Sequence, residues 1–156
     1  MTEELLAVTG ATGFIGRNLV TSLLAKGRKV RALVRRPQEY TAVVDARRID
    51  IFDKASLPAP LEGVHTAFYL VHSMKNKGHK FAQMDREGAE NFLNAAESSG
   101  VQRIIYLGGL GETGPELSEH LKSRAEVGRI LQSGRIQTTV LRAAIIVGPG
   151  SASWGC

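Results

Sequence analysis

The sequence predicts a doubly wound α/β fold: a parallel sheet of six strands in the order 3-2-1-4-5-6, sandwiched between layers of helices. Three observations carry this expectation. Short β-rich runs alternate with longer helical patterns, the alternation that builds βαβ units. Gly10, Gly13 and Gly16 fall three apart where the first apolar run meets the first helical pattern. At 156 residues, with no internal repeat, low-complexity tract or linker, the chain suits one core.

The expected strands are 5–9 (LLAVT), 29–34 (KVRALV), 46–50 (ARRID), 66–71 (TAFYLV), 103–108 (RIIYLG) and 138–147 (TTVLRAAIIV). The first helix spans 14–26, where Phe14, Ile15, Leu19, Val20, Leu23 and Leu24 make an apolar stripe and Gly27 ends it. A second spans 79–99, with Phe81, Met84, Gly88, Phe92 and Ala95 at three- and four-residue steps and Gly100 as its stop. A third runs over 116–133, announced by Thr113, Pro115 and Glu116, ended by Gly134, with Leu117, Leu121, Ala125, Ile130 and Leu131 inward. The stretch LPAPLEG around Pro58 and Pro60 reads as a loop.

A content of 43% hydrophobic and 22% charged residues is that of a globular chain, and no apolar run approaches the length of a membrane span. Cys156 is the only cysteine and no secretory-signal pattern opens the chain, so a reducing cytoplasm is the expected compartment. A net charge of +5 favours a negatively charged partner without choosing among nucleic acid, membrane and a phosphate-bearing small molecule. Nucleic-acid binding would rest on charge alone, with no aromatic platform or recognition motif.

The glycine turn narrows the choice. A glycine-rich passage from strand to helix frees backbone N–H groups to face phosphate, and the helix start adds its positive dipole end. In a βαβ dinucleotide site the first glycine makes the turn, the second admits the pyrophosphate and the third lets helix and strand pack closely. Gly10, Gly13 and Gly16 can take those roles in order, with Thr12, Phe14 and Ile15 completing the turn. About twenty residues on, where an acidic residue would bind an adenosine 2′-hydroxyl, the sequence has Arg35 and Arg36. Guanidinium groups suit a 2′-phosphate, so NADP is preferred over NAD. The same arginines would serve as solvated surface charges if no nucleotide were bound.

TGATGFIG at 9–16, DREGAENFLNAAESSGVQRIIYLGG at 85–109 and LRAAIIVGPG at 141–150 together resemble the extended and atypical short-chain dehydrogenase/reductases. The nearest group is the NmrA-like and nucleoside-diphosphate-sugar-epimerase-like proteins. The resemblance implies a Rossmann-type fold, adenine contacts from Asp50 and Ile51, and a ribose and nicotinamide wall from Leu70, Val71 and His72. On the residues alone, Asp50 equally suits a turn or cap.

The family's catalytic step rests on a tyrosine, a lysine four residues later, and a serine at the end of strand five. Here Tyr40, Tyr69 and Tyr106 are followed at that distance by Val44, Ser73 and Leu110, and strand five ends in Gly108 and Gly109. His120 and Arg124 stand at the same i, i+4 spacing instead. His120 can act as proton donor with Arg124 holding it or the ribose; the pair also suits the exposed side of an amphipathic helix. His72, Ser73 and the basic stretch 74–80 form a second candidate cluster, able to close over a substrate or to stand as a solvated loop. Metal is not expected, because the histidines at 65, 72, 79 and 120 lack zinc-site spacing. No serine sits in a GxSxG turn.

Two functions follow. One is an NADP-dependent oxidoreductase or epimerase-like enzyme on a small carbonyl or alcohol. The other is a non-catalytic protein that senses NADP. The dinucleotide-binding domain is expected over 1–150, with 151–156 as the truncated start of a substrate-binding region. An exposed apolar edge is expected near 138–147, to be met by a second copy of the chain in a homodimer.

Overall fold

The computed structural model describes residues 3–72, 80–110 and 118–151. Within them the chain runs β1 (Leu5–Thr9), α1 (Phe14–Ala25), β2 (Lys29–Val34), β3 (Asp45–Arg48), α2 (Pro58–Leu61), β4 (Val64–Tyr69), α3 (Lys80–Ser98), β5 (Arg103–Gly109), α4 (Glu119–Ser133) and β6 (Gln137–Ala143). The strands form one sheet in the order β3-β2-β1-β4-β5-β6, every pair parallel. This is the expected doubly wound Rossmann-like arrangement.

Alternation along each strand sorts the core onto two faces. On one, Ala7, Leu33, Ala67, Tyr69, Ile104 and Tyr106 pack with Phe92 and Ala96 of α3 and Leu131 of α4. On the other, Val8, Val30, Ala32 and Val34 pack beneath Val20 of α1. Tyr69 stacks at 4.8 Å from Phe92 and 6.1 Å from Tyr106, so these rings fill the centre of the larger layer. The opposite face of β5 and β6 is less covered: Ile105 and Leu107 are half-buried and Leu141 is 52% exposed, while Ile145, beyond the end of β6, is 81% exposed.

Two local expectations change. LPAPLEG carries α2 rather than loop alone, because Pro58 and Pro60 supply helical φ near a helix start, where a missing N–H costs nothing. β6 stops at Ala143 instead of continuing to residue 147. Its ladder partner β5 ends at Gly109, opposite Ala143, and after the last bond, Leu110 N–H to the Ala143 carbonyl at 2.8 Å, the run AIIV has no strand to pair with among the described residues. α4 is described from Glu119; Thr113, Pro115, Glu116 and Leu117 lie outside the described residues, as do Ser73, residues 74–79 and 152–156.

Candidate nucleotide-binding site

In a sheet ordered 3-2-1-4-5-6 the connections leave β1 and β4 in opposite directions, which opens a crevice at their C-terminal ends. Thr9, the last residue of β1, is fully buried and stitches that seam. Its hydroxyl donates to the Phe68 carbonyl at 2.9 Å and accepts from Leu70 N–H at 3.0 Å. The chain then turns at Gly10, whose φ of +66° an L side chain rarely adopts, and a Cβ there would lie 2.8 Å from the Leu70 carbonyl oxygen. The turn closes with Gly13 N–H to the Gly10 carbonyl at 2.9 Å. Gly16 is tighter still, because a Cβ would collide with the Gly10 carbonyl and sit 2.8 Å from Ala11 Cα.

Gly13 caps α1 without a side chain, and the first turn carries no acidic residue. The opening N–H groups of α1 therefore keep their positive end for a ligand. Thr12 is exposed at the turn, and Phe14 and Ile15 are half-buried. The Phe14 ring packs against the segment after β6, where a Cβ on Gly148 would come within 2.8 Å of it.

Arg35 and Arg36 follow β2 directly and are both exposed at the same edge of the sheet as the glycine turn. They differ in company: Arg36 pairs with Glu39 at 3.1 Å, whereas Arg35 has no ion pair among the described residues. Tyr40 packs beside α1 with Leu19 and Leu23, and burial raises its pKa against the opposing pull of Arg17. Asp50 sits in a turn, its carboxylate accepting from Phe52 N–H at 3.0 Å and its own N–H bonded to Ser56 Oγ. Ile51 is buried against α3, with its carbonyl held by Asn91 Nδ2 at 2.9 Å.

The ends of β4 and β5 meet α4. Leu70, Val71 and His72 follow β4 and are half-buried. Nη2 of Arg124 lies 2.8 Å from Nε2 of His72, so the expected helper of His120 bonds instead to a histidine on another element. Burial, chiefly, and then the Arg124 charge push the His72 pKa down to about 4; Asp85 opposes this, His120 reinforces it, and a bond to the Val71 backbone opposes it. His120 is half-buried with its ring 6.0 Å from that of Phe81. The Arg124 carbonyl accepts from the Tyr106 hydroxyl at 3.1 Å, and its Nε is buried without a hydrogen-bond partner among the described residues. Burial raises the pKa of Tyr69, and that of Tyr106 against the opposing pull of Arg124, and both rings belong to the core.

Asp85 and Ser123 are residues that the sequence reading passed over. Both are buried, and the Ser123 hydroxyl donates to the Asp85 carboxylate at 3.0 Å, joining α3 to α4 one residue before Arg124. A signal was present: Asp85 lies four residues after Phe81 and three before Gly88, inside the apolar stripe of its helix. Among the described residues no group of three or more His, Cys, Asp or Glu could hold a metal ion.

Backbone space at Gly10 and Gly16 that any Cβ would fill, a helix start without a side-chain cap, and an orphaned guanidinium N–H at the strand ends together suit a dinucleotide.

A family model described as NAD(P)H-binding matches residues 10–147. "Sterol demethylase protein B" of Methylococcus capsulatus is 31% identical over 169 aligned positions, covering 91% of this chain and 51% of that protein. The triphenylmethane reductase of Citrobacter sp., solved with NADP(H), superposes with a TM-score of 0.76 at 23% identity, over 90% of this chain and 49% of the other. The Bordetella bronchiseptica enzyme WbmH, solved with NAD+, gives 0.79 at 19% identity, over 96% and 59%. The chain thus spans about half the length of these proteins, and the two structures, with different cofactors, share its fold. Matched from the first glycine of its turn to the segment beyond β6, the chain belongs to this family of NAD(P)H-binding proteins.

Proposed function

We propose that residues 1–150 are the NADP(H)-binding domain of a cytoplasmic oxidoreductase or epimerase-like enzyme acting on a small carbonyl or alcohol, with residues 151–156 beginning a substrate region. The observation that carries the reading is the glycine turn, whose two sterically closed positions and uncapped helix start suit a pyrophosphate. When bound, the nicotinamide supplies or accepts the hydride.

The chain's own residues then divide the remaining work. Gly10, Thr12, Gly13, Phe14, Ile15 and Gly16 hold the diphosphate. Arg35, assisted by Arg36, meets the 2′-phosphate, and Asp50 and Ile51 border the adenine. Leu70, Val71 and His72 line the ribose and nicotinamide side. His120 exchanges the proton with substrate oxygen, in place of the tyrosine of related enzymes, and Arg124 takes the place of their lysine. A homodimer would cover the exposed Leu141 and Ile145.

One observation favours a second reading, a non-catalytic NADP(H) sensor: Tyr69 and Tyr106 are buried structural rings and neither has a lysine four residues on. Titration with NADPH and NADH, followed by nicotinamide fluorescence, tests the shared premise; equal affinity for both would remove the assignment of the arginines. A panel of carbonyl substrates then separates the two readings. Turnover abolished by His120→Ala supports the enzyme, and tight binding without turnover supports the sensor.

A further inference from the structure

We propose that His72 is a positioning residue: as a neutral acceptor it fixes the Arg124 guanidinium at the C-terminal ends of β4 and β5, so that the buried Arg124 Nε–H is presented to a hydroxyl oxygen of the bound dinucleotide. The identity of that oxygen rests on the function proposed above, whereas the pairing of the two side chains does not.

Donor chemistry fixes the state of the ring. A guanidinium has only N–H donors, so an Nη2 to Nε2 distance of 2.8 Å requires that Nε2 carry no proton. In the neutral ring the proton then sits on Nδ1. His72 is therefore engaged as an acceptor at the atom a proton donor would need, which leaves His120 as the histidine with that freedom.

The rest of Arg124 is held from three directions. Its carbonyl accepts from Tyr106 of β5, and its aliphatic stem lies over Gly109, where a Cβ would approach Cδ at 3.7 Å and meet Leu121 Cδ2 at 2.7 Å. Its neighbour Ser123 is anchored to Asp85 of α3. A side chain so constrained would be expected to satisfy all its donors, yet Nε has no partner among the described residues. Buried donors without partners are rare and costly, and a group kept in that condition beside a ligand crevice is suited to a ligand oxygen. His72 prevents the guanidinium from swinging away to find another acceptor.

The test is a double-mutant cycle in the whole chain, read by NADPH fluorescence titration. His72→Leu and Arg124→Met should each weaken NADPH binding by about tenfold, and the double variant should lose little more than either. His72→Gln, which keeps an acceptor, should recover most of the loss. In parallel, nitrogen NMR of the wild-type His72 ring should show Nε2 unprotonated from pH 8 to pH 5, with its signal displaced in Arg124→Met. Additive losses, no loss in His72→Leu, or an Nε2 signal indifferent to Arg124→Met would overturn the proposal. If the wild-type chain bound neither NADPH nor NADH, the proposed function and the ligand oxygen would fall together, and the ring signals would still decide the pairing.

Discussion

Arg36 donates from Nη1 to the Glu39 carboxylate at 3.1 Å, while Arg35 beside it has no ion pair among the described residues. The pair is exposed on both sides, so its own contribution is at most about 1 kcal/mol. Its effect on a phosphate is larger in kind than in size: the ligand must displace a carboxylate from Arg36, and that carboxylate then repels it. Arg35→Ala should therefore weaken NADPH binding by about tenfold or more, the range of a hydrogen bond to a charged group. Arg36→Ala should cost less, and Glu39→Gln should raise the preference for NADPH over NADH by a few fold. Titration of the three variants with both cofactors checks the order.

Gly16→Ala tests the close approach at the turn. A methyl group there meets the Gly10 carbonyl and Ala11 Cα, both backbone atoms that cannot rotate away, so α1 must move off β1. Overpacking of this kind costs about 1–3 kcal/mol. Urea unfolding should show the loss, with NADPH affinity falling further because the N–H groups of the turn are displaced. Gly27→Ala is the contrasting control: nothing lies within 4 Å, and its cost comes only from φ of +69°.

Why the turn is legible in sequence and its surroundings are not follows from range. Glycine spacing, the strand before it and the stripe after it are all local, so Gly10, Gly13 and Gly16 announce their geometry, whereas it is the Thr9↔Leu33 pairing in the sheet that brings Arg35 to the same edge. The end of β6 is not local. Residues 144–147 have strand propensity, but among the described residues the β5 ladder ends at Gly109, and pairing decides. The contact between His72 and Arg124 spans 52 positions, and that between Asp85 and Ser123 spans 38. The i, i+4 spacing of His120 and Arg124 is readable within one helix, while the partner of Arg124 is set by where β4 ends.

Ser123→Ala measures the joint between α3 and α4. It removes a donor from a buried carboxylate, and a buried acceptor left short of a partner costs about 1–3 kcal/mol. Asp85→Leu should be more damaging, because Asp85 has further interactions and Ser123 would also lose its acceptor. Because Ser123 adjoins Arg124, the Ser123→Ala protein should bind NADPH more weakly even at temperatures where it remains fully folded. A denaturation series paired with titration at 15 °C separates the two effects.

The depressed pKa of His72 makes a prediction with a definite sign. Burial first, and the Arg124 charge second, lower it from 6.5 in the unfolded chain to about 4 in the native protein. Above pH 6.5 the ring is neutral in both states and contributes no pH dependence. As pH falls from 6.5 towards 4, the unfolded chain takes up a proton that the native protein refuses, so stability falls, by about 3 kcal/mol across the window. Below pH 4 the native ring protonates too, Nε2 becomes a donor facing the Arg124 guanidinium, and the slope flattens. Asp85 from α3, and Arg124 and His120 from α4, are the charged or titratable groups that act on the ring, and His72→Gln leaves all three in place. Urea unfolding of both proteins from pH 7.5 to pH 4 should therefore give stabilities that run parallel above pH 6.5, with the wild type losing more than the variant below it. A constant difference across that range would mean that the ring protonates as freely in the native protein as in the unfolded chain, and that Arg124 does not hold it neutral.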